Sequence, residues 1–564
     1  MTSPPACFDG FLRAADGRIV DGTGNPVLLR GVGLGNWLLP EGYMWKFTPS
    51  AAAQSPREIE ALFESLVGTT RADEFWQRFR QVFVNEDDIA RIRAEGMNHV
   101  RLPINSRVVM DDDGALVEEG FALIDQLIEW CRTHRLWVVL DLHGAPGGQT
   151  GTNIDDSPRG IPELFTEPRY RELTIRLWRA IAERYRDEPV VAAYDLLNEP
   201  LPNEYQHRHA DDLAALYIDL TKAIREIDQN HLLCYEGTHW ATNWSIFTEV
   251  WDPNSMLQFH RYWSPPDRPG IQRFIDTGRR LGLPVYMGEG GENNLAWLQT
   301  AFQLYEDCGI GWNFWPWKKI DTLTSPCSVD APAGWADILA HAAGSAPQPH
   351  PDQAWDTLTA LLDVMPIARC TYRPEVIRAL MRRVPLEIPA SGFGFLGAGV
   401  SYRSTGAEPL RGFRSDEQVT IRHAGGTEPE NIDFEHMTGA PRTVDQELFL
   451  ELGAGDWVRY DIEVTTPLRL DVLVELSADP GEDHPAPLDV LVDREPADAV
   501  PTPGNTLVRA VTPTTVQPGR HTLQLTGRAP AVVVCFVHVS EAVPEQPSEA
   551  EVVPADADRP ALAP

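Results

Sequence analysis

The sequence has few cysteines and no long apolar run. Its seven cysteines are scattered over 564 residues with no close pair, so neither a disulfide framework nor a zinc motif is expected. No apolar stretch approaches the roughly 20 residues that a helix needs to cross a bilayer. The first residues, MTSPPACFDGFLRAADGR, contain neither the positive nor the apolar segment of a secretory signal. We therefore expect a cytoplasmic protein, although a secreted protein whose signal had been removed would read the same.

Basic residues are scarce relative to acidic ones. Lys and Arg number 48 against 82 Asp and Glu, which gives a net charge of −34. Such a field repels phosphate backbones and anionic lipid surfaces, and no basic patch interrupts it, so no nucleic-acid or membrane partner is expected. Hydrophobic residues make up 43% of the chain, as in globular proteins. The length favours two domains, and the oligomeric state is left open.

Residues 1–386 contain eight short apolar runs separated by helical patterns. The runs are VLLRGVGLGN, HVRLPI, WVVLDLHG, VAAYDLLNEP, LLCYEGTHW, SMLQFHRYW, PVYMGEGG and GIGWNFWPW. Strands that alternate with helices predict a parallel α/β fold, and eight such units over roughly 300 residues predict a closed (β/α)8, or TIM, barrel. A doubly wound open sheet is the alternative. It is disfavoured because no glycine-rich phosphate fingerprint follows the first run.

The character of the chain changes after residue 386. Residues 387–543 are rich in Gly, Pro and Thr, and segments such as LRLDVLVEL and HTLQLTG alternate with period two. This pattern predicts a linker followed by a β-sandwich. Residues 544–564 are rich in Pro, Ala and acidic residues, so we expect a disordered tail.

Two carboxylates end predicted strands four and seven. Glu199 lies in the segment NEP, and Glu289 lies in GEGG. Each alone is ambiguous, since Glu199 is equally compatible with a helix cap and Glu289 with an incidental acid in a glycine-rich turn. Strands four and seven lie on opposite sides of a barrel, however, and both acids would face the same C-terminal mouth, where barrels build active sites.

Two facing carboxyls are the minimum machinery for cleaving a glycosidic bond, because one protonates the leaving oxygen and the other attacks the anomeric carbon. A spacing of roughly 5–5.5 Å predicts retention of configuration. Further strand-end residues suit sugar binding: Arg101, His143, Asn198, His260, Tyr262 and Trp315. The purely structural alternatives are an internal ion pair for Arg101, structural roles for His143 and His260, and a position in the barrel core for Trp315. The competing carboxylates are Asp141, Glu236 and Glu292, and Asp141 is placed to orient His143.

No metal or cofactor is expected. Amidohydrolase-type barrels carry a His-x-His pair on an early strand, and the first run here has none. The spacing recurs at His207 and His209, but in a polar loop.

These motifs resemble glycoside hydrolase family 5, the cellulase-type family of clan A. The matching segments run in the family's order from GVGLGNW through VRLPI, LDLHG, LLNEP, FHRYW and MGEGG to GWNFWPWKK. The resemblance implies that Glu199 is the acid/base, that Glu289 is the nucleophile, and that the six residues named above line the subsite of the cleaved sugar.

Within that family the chain looks most like exo-acting β-1,3-glucanases. Trp37 and Glu41 have the spacing of that group's GGWLVLEPW motif, and Asp155 in LHGAPGGQTGTNIDDSP matches an Asp that holds the terminal sugar. The segments GEGGENN and NFWPWKK depart from the pattern and leave the sugar open. The C-terminal region resembles carbohydrate-binding modules of the family 6/35 type through GDWVRYDIEV and PGRHTLQLTG, with Trp457 expected in the sandwich core.

We therefore predict an exo-acting, retaining β-glycoside hydrolase of the β-glucosidase or exo-β-glucanase type, with a carbohydrate as its partner. Exo action follows from three long loops that are suited to closing a pocket: residues 42 to 65, residues 144 to 165, and the insertion after Trp317 that begins with Lys318 and Lys319. The alternatives are galactosides, mannosides or arabinofuranosides as substrates, or a non-catalytic carbohydrate-binding protein on a silenced barrel. Retention of both Glu199 and Glu289 disfavours silencing.

Overall fold

A computed structural model describes residues 8–406, 409–424, 431–443, 446–477, 487–501, 506–529 and 532–542. The predicted disordered tail, residues 544–564, lies outside these ranges. Within the described ranges, no helix is both long and apolar enough to span a membrane.

Eight parallel strands form a closed barrel, in which the eighth strand pairs with the first. Each predicted run contains one of them: β1 Arg30–Gly33, β2 His99–Asn105, β3 Trp137–Gly144, β4 Val191–Asp195, β5 Leu232–Glu236, β6 Ser255–His260, β7 Val285–Gly291 and β8 Gly311–Trp315. The predicted TIM barrel is confirmed, and the open doubly wound sheet is wrong. A short hairpin, Arg13–Ala15 with Arg18–Val20, precedes the barrel.

Amphipathic helices surround the barrel. Those up to β8 are α1 Pro56–Val67, α2 Thr69–Val82, α3 Glu86–Ala94, α4 Glu118–His134, α5 Pro168–Tyr185, α6 Ala210–Arg225, α7 Arg268–Leu281 and α8 Leu295–Asp307. After β8 come α9 Trp335–Ala342, α10 Pro351–Val364 and α11 Pro374–Met381. Single turns of helix lie at Gly42–Trp45, Ser106–Val109, Glu163–Phe165 and Ile367–Arg369. Local sequence sets their ends: Asp267 accepts a hydrogen bond from the Gly270 amide at the start of α7, and Gly282 ends that helix at φ 69°.

The C-terminal region is a β-sandwich of antiparallel strands, as predicted. One sheet contains Leu386–Pro389, Thr420–His423, Leu448–Leu452, Leu470–Leu476, Asp498–Pro501, Leu507–Val511 and Val532–Glu541. The other contains Tyr402–Arg403, Trp457–Val464, Leu488–Val492, Glu495–Pro496 and Gly519–Gly527. A separate small sheet joins Lys318–Ile320, Cys327–Val329 and Thr371–Tyr372. The predicted boundary between residues 386 and 387 falls inside a strand that pairs with Val532–Glu541.

The alternation of buried and half-buried residues along Trp457–Val464 contradicts the predicted position of Trp457. Val458, Tyr460 and Ile462 are buried between the two sheets, which places Trp457 on the opposite face. There its ring is half-buried under the Arg459 guanidinium, 4.3 Å from the ring centroid. The prediction that Trp457 belongs to the sandwich core is therefore wrong.

The barrel and the sandwich are joined through Glu306, near the end of α8. Its buried carboxylate accepts hydrogen bonds from Arg30 of β1, from Arg382 after α11, and from Arg520 of the sandwich. Burial alone would raise the pKa of Glu306, but Arg382, Arg30 and Arg520 together lower it well below its ordinary value. Three cations therefore depend on one carboxylate.

We expect Glu306→Gln to lower the free energy of unfolding by roughly 3 kcal/mol at neutral pH, because it leaves the buried guanidinium of Arg382 without a counter-charge. Since the pKa of Glu306 is depressed in the fold, its contribution is complete above about pH 4.3, the ordinary Glu value, and is lost as the pH falls below it. Thermal unfolding of both proteins across this range should show the difference shrinking in acid. Glu226→Gln, which removes an exposed ion pair with Arg179, is the matched control and should change stability by less than about 1 kcal/mol. Equal stability of Glu306→Gln and the wild type at neutral pH would contradict the account.

Candidate active site

Glu199 lies just beyond β4 at the C-terminal mouth of the barrel. Its backbone has a φ of 43°, a region that a non-glycine residue occupies only when its surroundings hold it there. The restraint is visible: its amide donates a 2.7 Å hydrogen bond to Oε2 of Glu236, at the end of β5. Its side chain is 11% exposed, and Oε1 lies 2.6 Å from Nδ1 of His260.

Glu289 lies on β7 and is held by two donors. Nη1 of Arg101 donates to Oε2, and the hydroxyl of Tyr262 donates to Oε1, each at 2.7 Å. The neighbouring glycines explain the GEGG sequence, because a Cβ on Gly288 would lie 2.0 Å from the side chain of Gln258. Glycine therefore lets this strand approach β6 closely enough to place Glu289 beside His260.

The two carboxyls approach each other closely. An oxygen of Glu199, a nitrogen of His260 and an oxygen of Glu289 all lie within 4.8 Å of one another. Inverting enzymes separate their carboxyls by roughly 6.5–9.5 Å to admit a water, and retaining enzymes by only about 5–5.5 Å. The arrangement fits the retaining geometry.

Carboxyls this close share one proton. Burial raises the pKa of Glu289, an effect that His260 and Arg101 oppose and Glu199 reinforces. Both oxygens of Glu289 accept a hydrogen bond, one from Arg101 and one from Tyr262, whereas the contact of Glu199 is at Oε1 alone, with Nδ1 of His260. The hydrogen-bond pattern therefore places the negative charge on Glu289 and the shared proton on Glu199.

Arg101 of β2 organises the floor of the site. Besides Glu289, it donates to Asp195 at 2.9 Å, to Oδ1 of Asn198 at 2.9 Å and to Glu236 at 3.2 Å. Burial alone would lower the pKa of Arg101, but the surrounding carboxylates raise it well above its ordinary value. The fully buried, permanently charged guanidinium of Arg101 thus fixes four side chains, which lie on three strands or just beyond them.

His260 lies between Glu199 and Glu236. Its Nδ1 faces Glu199, and its Nε2 lies 3.3 Å from Oε1 of Glu236. Burial alone would lower the pKa of His260, but Glu236, Glu289 and Glu199 raise it well above its ordinary value. Burial alone would raise the pKa of Glu236, but His260 and Arg101 lower it below its ordinary value. A protonated His260 therefore donates to Glu199 and to an ionised Glu236. From the sequence, Glu236 stood out only as a competing acid.

His143 of β3 is neutral. Its Nδ1 lies 2.7 Å from Oδ2 of Asp141, and its Nε2 lies 3.3 Å from the amide nitrogen of Asn198. Burial lowers the pKa of His143 to about 4. Its Nδ1–H then donates to Asp141, which orients the ring in the manner suggested by the sequence, and Nε2 accepts from Asn198.

Trp315 forms one side of the site. Its ring stacks on His143 with centroids 5.5 Å apart and planes 8° apart, and its indole N–H donates to the hydroxyl of Tyr43 at 2.9 Å. A Cβ on Gly33 would lie 2.4 Å from the Trp315 ring, and one on Gly35 would lie 2.6 Å from it. The glycines of GVGLGNW therefore make room for this indole.

Glu41 presents an unused polar atom to the site. The side chain is buried, and among the described residues Oε1 has no hydrogen-bond partner. Nε2 of His143 lies 4.0 Å away. Burial raises the pKa of Glu41 well above its ordinary value, and the nearby Glu289 adds to the effect. Such a buried group needs a partner from outside the protein, as expected of a residue that binds a sugar hydroxyl.

Glu292 and Lys319 form an ion pair that the sequence did not predict. It joins the end of β7 to the segment after β8, and both side chains are nearly buried. Nζ of Lys319 also lies 5.5 Å from the ring centroid of Tyr43. Lys318 belongs elsewhere, because its ammonium pairs with Asp88 at 2.8 Å in the interior.

Two predicted substrate contacts are not supported by their positions. Both oxygens of Asp155 are occupied within its own loop: Oδ2 accepts from Thr150 and Gly151, and Oδ1 accepts from Ser157. The prediction that Asp155 holds a terminal sugar is therefore corrected to a loop-organising role. Trp37 is also not brought to the carboxyl pair, since its indole N–H donates to the main-chain oxygen of Arg80 on α2.

Glu199, His260 and Glu289 have the spacing of metal ligands, but their chemistry does not suit a cation. Arg101 and Tyr262 already donate to both oxygens of Glu289. The raised pKa of His260 gives that ring a positive charge of its own. A divalent ion would therefore meet two cations, which favours proton transfer over metal chemistry at this site.

The chain is similar to several known proteins. The model of the cellulase family, glycosyl hydrolase family 5, matches residues 64–321. A β-xylosidase of Phanerodontia chrysosporium is 30% identical over 349 residues, which cover 55% of this chain and 71% of that protein. Endoglucanase C of Acetivibrio thermocellus is 26% identical over 303 residues, 42% of this chain and 85% of that protein. The crystal structure of an endogalactoceramidase aligns over 92% of this chain and 100% of its own, with 15% identity and a TM-score of 0.47.

The family match covers the barrel strands that carry both carboxyls and most of the residues around them. Together with the relative of which this chain covers 71%, it establishes the family and a carbohydrate substrate. The chain belongs to glycosyl hydrolase family 5 and is a retaining β-glycoside hydrolase.

Proposed function

We propose that the protein is an exo-acting β-glycosidase that removes single sugars from a non-reducing end, with Glu289 as nucleophile and Glu199 as acid/base. The observation that carries exo action is a wall of buried contacts on one side of the carboxyl pair. Tyr43 from the loop after β1 meets Trp315 of β8, and Glu292 meets Lys319. An exo enzyme needs such closure behind the sugar that it cleaves, whereas an endo enzyme needs an open cleft.

The reaction begins with attack of an oxygen of Glu289 on the anomeric carbon. The bond from that carbon to the glycosidic oxygen breaks, and the proton on Glu199 passes to the departing oxygen. Arg101 and Tyr262 keep Glu289 ionised and aimed. In the second step a water attacks the same carbon, Glu199 takes a proton from the water, and the bond to Glu289 breaks. Two displacements on one carbon restore the original configuration.

His260 supports the change of role at Glu199. Its Nδ1–H donates to Glu199 Oε1 in both charge states, so the carboxyl stays oriented while its proton leaves and returns. Glu236 holds the other nitrogen of the ring and the backbone amide of Glu199. The acid/base is thereby fixed at both its main chain and its side chain.

β-Glucosides are the proposed substrates, and β-xylosides are the second candidate. The resemblance to exo-β-glucanases and a relative named as a probable glucan 1,3-beta-glucosidase A in Aspergillus fumigatus, 30% identical over 276 residues, support glucosides. The relative named β-xylosidase, 30% identical over 349 residues, supports xylosides. Galactosides, mannosides and arabinofuranosides remain alternatives for the same mechanism.

Release of nitrophenol from a panel of nitrophenyl glycosides tests this proposal. We expect turnover of the β-glucoside or the β-xyloside, and release of monosaccharide alone from the matching oligosaccharides, because a site closed behind the cleaved sugar admits one sugar on that side of the bond. Glu289→Ala, purified identically, measures the background. Internal cutting of polymers into mixed oligomers, without action on aryl monosaccharides, would contradict exo action.

Two further predictions from the sequence stay predictions. One is the resemblance of residues 387–543 to carbohydrate-binding modules, with the domain limits that it implies. The other is cytoplasmic residence.

A further inference from the structure

A cavity of about 370 Å³ lies between α1 and α2, outside the catalytic site. Glu60 and Glu64 of α1 line one side, Trp76 and Arg80 of α2 line the other, and Arg107 after β2 forms the end. Neither carboxyl of the catalytic pair lines it. Its volume is in the range of small-ligand sites, roughly 300–1,000 Å³.

Two donors on residues that line this cavity have no partner among the described residues. The indole N–H of Trp76 is buried and makes no hydrogen bond to any described residue, and the residue as a whole is 8% exposed. Arg80 is half-buried, and its guanidinium has no hydrogen bond or ion pair among the described ranges of the chain. By contrast, the neighbouring Arg107 pairs with Glu60 at 2.9 Å. Buried donors are almost always satisfied, so the Trp76 N–H indicates an acceptor supplied by a ligand, and the half-buried Arg80 offers a second donor beside it.

The charges around the cavity indicate the class of ligand. Two cations, Arg80 and Arg107, face three carboxylates, Glu60, Glu64 and Asp73. The lining is therefore net negative, which disfavours an anion despite the free guanidinium. A ligand that both accepts hydrogen bonds, from Trp76 and Arg80, and donates them, to Glu64 and Asp73, fits this mixture.

The indole of Trp76 is held firmly. Its ring stacks on Phe63 of α1 with centroids 5.3 Å apart and planes 15° apart, and Phe79 packs against it edge-on at 5.4 Å. A fixed donor of this kind costs little conformational entropy when a ligand binds.

We propose that this cavity is a second saccharide-binding site, which takes a neutral mono- or disaccharide independently of the catalytic pocket. The hydroxyl and ring oxygens of the sugar accept from Trp76 and Arg80, and its hydroxyl hydrogens bond Glu64 and Asp73. The site lies beyond the proposed function, because nothing in the cleavage reaction uses these residues.

The experiment uses the full chain with ¹⁵N-labelled tryptophan, in the Glu289→Ala background to prevent hydrolysis. Trp76→Phe identifies the Trp76 indole signal by its disappearance. Glucose, xylose, cellobiose and xylobiose are titrated in turn. We expect at least one of them to shift the Trp76 indole signal, with a dissociation constant on the order of 1 mM.

Arg80→Gln should weaken this binding roughly tenfold, because it removes a charged donor. In the catalytically competent chain it should leave turnover of an aryl glycoside unchanged. Arg378→Gln, at a half-buried arginine of α11 outside the cavity, is the matched control and should leave both properties unchanged. If Arg80→Gln does not fold, calorimetry of Trp76→Phe provides the same comparison, with weaker sugar binding expected.

Three results would overturn the proposal. The first is no shift of the Trp76 signal with any of the four sugars. The second is a shift of equal affinity in Arg80→Gln. The third is a stronger response to inorganic phosphate than to the sugars, which would make the cavity an anion site.

Discussion

Glu289→Ala is expected to lower turnover by roughly four orders of magnitude or more, since the covalent intermediate cannot form. The variant leaves Arg101 and Tyr262 without their shared acceptor, but it creates a small space beside the anomeric carbon. Added azide should enter that space and attack from the side of the missing carboxylate. The product should then be the glycosyl azide of inverted configuration, which proton NMR identifies.

Glu204→Ala, at an exposed carboxylate close in sequence to Glu199, is the control and should behave as the wild type. Near-normal turnover by Glu289→Ala, in a protein whose thermal unfolding shows it to be folded, would remove the nucleophile assignment.

Glu199→Ala is expected to show a loss that depends on the leaving group. For a disaccharide, whose leaving oxygen needs a proton, turnover should fall by several orders of magnitude. For a dinitrophenyl glycoside the first step needs no acid, so the glycosyl-enzyme should accumulate and the loss in kcat/KM should be small. Azide, which needs no general base, should then speed the second step and yield the glycosyl azide of retained configuration.

The opposite azide products from the two variants distinguish the two roles. Equal losses for both leaving groups in Glu199→Ala would show that this residue is not the proton donor. An inverted azide product from Glu199→Ala would exchange the two assignments.

The sequence predicted the barrel because each strand carries its own signal. In a parallel sheet covered on both faces, the strands are continuous apolar runs that differ clearly from the helical spacing between them. Glu199 and Glu289 could be placed because each lies at the C-terminal end of such a run, and the C-terminal ends of all strands meet at one rim. Position along the chain was therefore enough to bring them together.

Contacts within loops were not predictable in the same way. Asp155 matches a sugar-binding Asp by spacing, but whether its oxygens face the pocket depends on the turn around it, and here Thr150, Gly151 and Ser157 occupy them. Trp457 was misplaced because a one-residue change of register moves every side chain of a strand to the other face.

Two residues of the site, Glu236 and Lys319, were not predicted from the sequence, and the physical reason is the same for both. Glu236 and Lys319 act through ion pairs with residues far away in the chain, and no local pattern encodes such pairs. The one usable signal for Glu236 was its position at the end of β5, the same criterion that identified Glu199 and Glu289. Applied to every strand, it would have placed Glu236 in the site.

Trapping the covalent intermediate tests the central claim most directly. A 2-deoxy-2-fluoro glycoside of the preferred sugar, with dinitrophenolate as leaving group, slows both steps and hydrolysis most of all, so the glycosyl-enzyme accumulates. Mass spectrometry of the intact protein should show one added sugar, and peptide mapping should place it on Glu289. A label on Glu199, Glu41 or Glu292 would contradict the account. So would the absence of any covalent species when the enzyme turns over the reagent.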